Sequence, residues 1–188
     1  ANGIPGDTCA GALAATGEVW ALTVDICNYS GDFVSEEVGG CQASSSVAPK
    51  DIVVAYTAPV AGDYRVVFDP GAGGGSSFDA LLNVIKGATC PTSPLRECAG
   101  GSDQGDPERV TFTAAAGETF WIVAGGWSSG CGLSQVAVSL LAPELCDDTV
   151  DNDGDGKTDC ADSDCVAFAA CIEVCDDKKD NDVDGATD

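Results

Sequence analysis

The chain has 188 residues, with 31 acidic against 8 basic side chains, a formal net charge of −23, and no histidine or methionine. Such a surface repels the phosphates of nucleic acid and of anionic lipid headgroups, which call for Lys and Arg, so its natural partners are cations. Eleven cysteines point to disulfides, and hence to a secreted or cell-surface location, because disulfides persist only in oxidising compartments. Zinc or iron–sulfur ligation would favour CxxC pairs or histidine, and the sequence has neither. No apolar run approaches the ~20 residues that a membrane span needs. The chain begins at Ala1 rather than Met, the kind of start that signal-peptide cleavage leaves.

Seven runs rich in β-branched and aromatic residues are expected to be strands: 19–24 (VWALTV), 52–57 (IVVAYT), 64–68 (YRVVF), 78–85 (FDALLNVI), 110–113 (VTFT), 119–123 (TFWIV) and 136–141 (VAVSLL). Gly, Pro, Asp and Ser separate them, and no long helical period interrupts. Short strands at this spacing predict an all-β chain built as an antiparallel β-sandwich. The Gly/Ser run 71–77 lacks the Lys-Ser/Thr that completes a phosphate-binding loop, so it is expected to be a plain loop or a bulged strand end. Six cysteines fall in this part: Cys9, Cys27, Cys41, Cys90, Cys98 and Cys131. They suit three bridges, and the short spacing favours a local Cys90–Cys98 loop, although six cysteines allow about fifteen pairings.

Few residues here suggest chemistry. Gly126-Trp127-Ser128-Ser129-Gly130 fits the GxSxG spelling of serine hydrolases, but no helical pattern follows it and the chain has no histidine to act as base. Paired carboxylates could serve glycoside hydrolysis, yet with 31 acids chance proximity is expected and no pattern singles out a pair. Trp20 and Trp121 sit in apolar runs and are expected in the core. Trp127, in a Gly/Ser-rich turn, is the candidate for an exposed ligand platform, with a glycan as the ligand. Asn28-Tyr29-Ser30 is a glycosylation sequon that makes Asn28 a candidate modification site.

Gly6-Asp7-Thr8-Cys9-Ala10, the stretch 51–59 (DIVVAYTAP) and Ala61-Gly62-Asp63-Tyr64-Arg65-Val66 together resemble the bacterial pre-peptidase C-terminal domains. So do 78–84 (FDALLNV), 110–114 (VTFTA) and 117–123 (GETFWIV). The resemblance covers most of residues 6–141. It implies a jelly-roll-like sandwich and an extracellular accessory or adhesive module. No binding residue of that family carries over.

Composition changes near Pro143, giving an expected sandwich domain over 1–142 and a tail over 143–188. Residues 144–188 hold 16 acidic and 3 basic side chains, against 15 and 5 in the three-fold longer stretch before them. The tail contains Asp151-Asn152-Asp153-Gly154-Asp155-Gly156-Lys157-Thr158-Asp159, with Asp162 three residues on. Counted from Asp151, the acids fall at the ligand positions of an EF-hand-type calcium loop and Gly156 at the sharp turn. The expected calcium ligands are the carboxylates of Asp151, Asp153, Asp155, Asp159 and Asp162 and the main-chain carbonyl of Lys157. Calcium is a hard cation that takes six to eight oxygens, and carboxylates at alternate positions converge on it when the backbone curls. Asp162 replaces the usual Glu, and in this the loop resembles the calcium loops of dockerins and thrombospondin type 3 repeats. With its flanking cysteines it also resembles the acidic, Cys-rich repeats of secreted myxobacterial proteins.

A second copy follows at an offset of 29 residues, which relates Asp151 to Asp180, Cys146 to Cys175 and Glu144 to Glu173. Such an internal repeat separates a built loop from a disordered acidic linker. The copy assigns Asp180, Asp182, Asp184, Ala186 (through its carbonyl) and Asp188 as ligands. It stops at its ninth position, and the tail holds an odd five cysteines, so the natural chain is expected to continue, as an array of repeats. Six Asp between 151 and 164 repel one another until a divalent ion sits among them, so calcium should order the segment. The whole reads as an extracellular calcium-binding structural or adhesive surface protein, not an enzyme, whose self-association into fibres is one expectation. The alternative is a carbohydrate- or protein-binding accessory module of a larger secreted enzyme.

Overall fold

The structure is a computed structural model that describes residues 3–33, 50–71, 78–91, 105–153, 157–162, 165, 168 and 171. The chain divides into two compact units, Ala1–Leu140 and Leu141–Asp188. The first unit is built of eight strands: β1 (Leu13–Thr16), β2 (Val19–Asp25), β3 (Asp51–Thr57), β4 (Gly62–Asp69), β5 (Ala80–Lys86), β6 (Glu108–Ala114), β7 (Thr119–Gly126) and β8 (Leu133–Leu140). Two 3-10 turns, Cys9–Gly11 and Ile26–Asn28, accompany them, and the described residues include no α-helix.

The strands form two four-stranded sheets, in the orders β1-β3-β7-β5 and β2-β8-β4-β6. Every consecutive pair of strands lies in opposite sheets, so each connection crosses the sandwich. These strand orders make a jelly-roll-like β-sandwich. All seven expected runs contribute strands. Two features were not expected. Leu13-Ala14-Ala15-Thr16 is an eighth strand, and it pairs parallel with β3 in register Leu13↔Val54, so the first sheet is mixed rather than purely antiparallel. Its composition carries little strand propensity; the pairing to β3 makes it a strand.

The core lies between the sheets. On β4 the inward residues Tyr64, Val66 and Phe68 are fully buried, alternating with half-exposed Arg65 and Val67. Val66 stands opposite Val110 on one side and Val138 on the other. From the facing sheet come Ile52, Val54 and Tyr56 of β3 and Phe120 and Ile122 of β7. Burying each such side chain stabilises the fold by roughly 1.5–3 kcal/mol. The rings of Tyr56, Tyr64, Phe112 and Phe120 form a chain of contacts with centroids 5.7, 5.7 and 4.1 Å apart. The hydroxyls of Tyr56 and Tyr64 reach out of this apolar layer to donate to the carbonyls of Gly17 (2.6 Å) and Val60 (2.9 Å).

The first sheet is also covered on its outer face. Phe33, Val53 and Val123 form a second buried cluster, joined by Cys9, Cys90 and Trp121. Four successive residues of β3 are therefore buried, where a sheet wet on one side would alternate. Cys9 is bonded to Cys90 and Cys27 to Cys131. The Cys90–Cys98 loop bridge expected from short spacing is thus not formed: the turn bearing Cys9 lies on the same outer face as the end of β5, which brings Cys9 to Cys90 across a separation of 81 residues. Cys41, Cys98 and most of the Gly/Ser run, 72–77, lie outside the described residues.

The second unit has little regular structure among its described residues: one 3-10 turn, Asp159–Ala161, and a series of short main-chain turns. Two disulfides, Cys146–Cys165 and Cys160–Cys171, replace an extended core, with Cys165 and Cys171 themselves buried.

Candidate metal centre

Glu144 organises the acidic loop. Its carboxylate is buried at 8% exposure, where Oε2 accepts the Asn152 N–H at 2.8 Å and Oε1 accepts the Asp159 N–H at 3.2 Å. One side chain thus fastens the early and the late part of the loop. Local turns do the rest. Asp148 Oδ1 accepts the Val150 N–H (2.9 Å), and the Asn152 amide donates to the Val150 carbonyl (3.0 Å). Thr149 and Asp159 have positive φ, 62° and 49°.

Glu144, Asp151 and Asp153 each offer a carboxylate oxygen, and these three atoms lie within 4.8 Å of one another. Two like charges at that distance repel by roughly 1 kcal/mol in water and several times more at the lower effective dielectric of a protein. A divalent cation reverses the sign of that energy. The donor set is oxygen only, as hard cations such as calcium and magnesium prefer, whereas zinc and copper seek nitrogen and sulfur. Cys146, Cys160, Cys165 and Cys171 surround the loop in sequence but are disulfide-bonded, so none can act as a thiolate ligand. The residues present therefore fit a hard cation.

The expected ligands divide. Asp151 and Asp153 belong to the three-carboxylate group. Asp159 does not; its Oδ1 accepts the N–H groups of Asp148 (3.1 Å) and Thr149 (3.3 Å). Asp162 is buried at 2% exposure, in the turn where its N–H donates to the Asp159 carbonyl and its own carbonyl accepts from Cys165. Lys157 is exposed. Asp155 and all five ligands of the second copy, Asp180, Asp182, Asp184, Ala186 and Asp188, lie outside the described residues. Glu144 was not among the expected ligands, although the repeat already marked it: Glu173 stands at the same offset of 29 residues as the rest of the second copy.

In the sandwich, Trp127 is 37% exposed at the turn between β7 and β8, where its N–H donates to the Asp79 carbonyl at 2.7 Å. The GxSxG spelling there is a tight strand-to-strand turn. A Cβ on Gly126 would collide with the Gly130 carbonyl oxygen, so close approach of two backbones explains the glycine. Trp20 and Trp121 are partly buried against the two apolar clusters, and the Trp121 indole donates to the Gly87 carbonyl at 3.0 Å. Asn28 is exposed, and its amide donates to the Asp25 carbonyl (3.3 Å). Ser30, the last residue of its sequon, serves the fold, since its Oγ donates to Asp7 Oδ1 at 2.8 Å.

No family model matches the chain. Over 48 residues, 24% of its length, it is 44% identical to teneurin-1 of Mus musculus and, to the same extent, to teneurin-1 of Homo sapiens. It spans about 2% of the length of these curated relatives. Among solved structures, it is similar to the pre-peptidase C-terminal domain of a collagenase from Bacillus anthracis, over 68% of this chain and 94% of that one, at 10% identity and a TM-score of 0.43. It is also similar to PliG, a periplasmic inhibitor of g-type lysozyme from Aeromonas hydrophila, over 68% and 96% of the two chains, at 14% identity and a TM-score of 0.36. Both are similarities of backbone fold, at identities that carry nothing about function.

Proposed function

We propose that the chain is an extracellular, non-catalytic structural or adhesive module whose acidic unit binds calcium. The observation that carries this reading is the grouping of Glu144, Asp151 and Asp153 within 4.8 Å, in a unit whose described cysteines are all closed off in disulfides. Calcium is favoured over magnesium by the ligand spacing of the loop from Asp151 to Asp162, which lets carboxylates and a carbonyl wrap a larger ion. The repeat at 29 residues supports an array of such sites, and an array stiffened by ions suits a stalk or filament subunit. Four disulfides among the described residues support an oxidising compartment. No helix among the described residues is long and apolar enough to cross a membrane.

Calorimetric titration of calcium into the full chain tests the central claim, with magnesium as competitor and a chelated sample as control. A binding isotherm accompanied by added thermal stability is expected. No binding at millimolar calcium would reduce residues 144–188 to an acidic linker. Electron micrographs of the calcium-loaded chain test assembly, where fibres are the expected result. The exposed Trp127 favours a second reading, a glycan- or protein-binding accessory module. A monomer retained on polysaccharide, and released by Trp127→Ala, would establish that reading instead.

A further inference from the structure

Two buried carboxylates seize the segment that follows the Ile26–Asn28 turn. Asp7, 1% exposed, accepts the Ser30 N–H and hydroxyl on Oδ1, at 2.5 and 2.8 Å. Asp51, the first residue of β3 and 2% exposed, accepts the N–H groups of Asp32 and Phe33 on Oδ2, at 3.0 and 3.1 Å. The Asp51 N–H returns a bond to the Ser30 carbonyl (3.4 Å). The segment so held carries Phe33, 6% exposed, which covers Val53 and Val123 on the outer face of the first sheet.

Asp51 differs from Asp7 in its second oxygen. Asp51 Oδ1 is buried and, among the described residues, has no hydrogen-bond partner. Among the described residues, the groups facing it are acidic or neutral. Asp7 comes from the N-terminal segment and Asp32 from the held segment, and both add repulsion. The cross-strand neighbour on β7 is Gly125, which brings no charge and packs tightly, since a Cβ there would lie 3.1 Å from that of Asp51. Tyr29 faces Asp7, whose charge, after burial, raises the phenol above its ordinary range. Lys50 is the adjacent residue in sequence, and among the described residues no cation forms an ion pair with Asp51.

We propose that Asp51 is a proton-operated latch: protonated, it holds residues 30–33 against the outer face of the first sheet, and its ionisation loosens that segment. A proton on Oδ1 occupies the oxygen that neither main-chain amide uses, so the neutral acid keeps both bonds. The carboxylate keeps them too, but as a buried charge beside two like charges. Burial pushes the Asp51 carboxyl up to about 7 from its ordinary 3.8, against the lowering effect of the Phe33 and Asp32 amides. The latched form therefore retains a proton that the released form has lost between pH 3.8 and about 7. The latch is fully strong below that window, weakens through it by up to about tenfold per pH unit, and levels off above it.

The test uses the full chain in chelator, so that no cation at the acidic loop contributes. Amide hydrogen exchange at Asp32 and Phe33, corrected for intrinsic rates, is followed from pH 4 to 8 beside the carbon-13 shift of the Asp51 carboxyl. The expected result is a carboxyl midpoint near neutrality, with protection falling through the same window. Asp51→Asn, which keeps an acceptor and cannot ionise, should flatten the profile. Asp7→Asn removes a facing charge and should lower the midpoint. A carboxyl that titrates in the ordinary range near 4, or protection that ignores pH while the carboxyl titrates, overturns the proposal. The carboxyl and exchange measurements on the unaltered chain decide it even if the variants fold poorly.

Discussion

The two units hold their shape by opposite means. Ala1–Leu140 is ordered by apolar contacts between residues far apart in sequence: β2 lies beside β8, and Val66 packs between Val110 and Val138. The two disulfides among its described residues span 81 and 104 residues around the apolar core. Leu141–Asp188 has bridges that close only 19 and 11 residues, and a carboxylate, Glu144, stands where a sandwich would place a valine. A chain rich in Val, Ile and Phe can stand on hydrophobic burial. One rich in Asp must be stapled and neutralised.

The sharpest way to break this contrast is to remove covalent links. Cys160→Ser with Cys171→Ser should abolish the order of the acidic unit, seen as rapid proteolysis between 144 and 171, while the sandwich keeps its melting transition. Cys27→Ser with Cys131→Ser should cost the sandwich about 2–5 kcal/mol in denaturant titration without unfolding it. Of comparable size is Phe68→Ala, which empties a fully buried site and should cost about 3–5 kcal/mol in the sandwich transition alone. Glu144→Gln keeps the hydrogen-bond acceptor on one atom and removes a charge from the three-carboxylate group. Calcium affinity by calorimetry should fall about tenfold, a loss of about 1.4 kcal/mol, with the sandwich melt unmoved. The smallest effect is expected for Lys86→Ala. The Lys86–Glu118 ion pair is 2.6 Å long but largely exposed, so the melting temperature should not move measurably.

The sandwich was legible because its strands obey a simple rule. Tyr64-Arg65-Val66-Val67-Phe68 alternates in the sequence, and the structure buries its first, third and fifth members. β1 was not legible, since Leu-Ala-Ala-Thr states no preference and only the neighbouring β3 makes it a strand. Nor was the Cys9–Cys90 bridge, because spacing along the chain says nothing of which turns fold onto one face. In the acidic unit the spacing of Asp151 and Asp153 identified two members of the carboxylate group. It also suggested Asp159, which lies outside that three-carboxylate group and whose Oδ1 accepts two main-chain N–H groups. A carboxylate can accept turn N–H groups and still offer lone pairs to an ion, as Glu144 is placed to do, so composition alone does not rank the ligands. Glu144 was visible only as an element of the 29-residue repeat, with no chemistry attached until the fold brought it to Asp151.

Because every connection in the sandwich crosses between sheets, neither sheet can assemble from one continuous stretch. The first sheet waits for the seventh strand and the second for the eighth, so a chain emerging amino terminus first cannot complete one sheet until residue 126 is free or the other until residue 140 is. Pairings of such long reach form slowly, on the scale of milliseconds to seconds. Through that delay the nascent chain stays open, with its apolar strands and unpaired thiols accessible to oxidants and folding helpers. The acidic unit follows the sandwich in the chain and closes its described bridges over short spans.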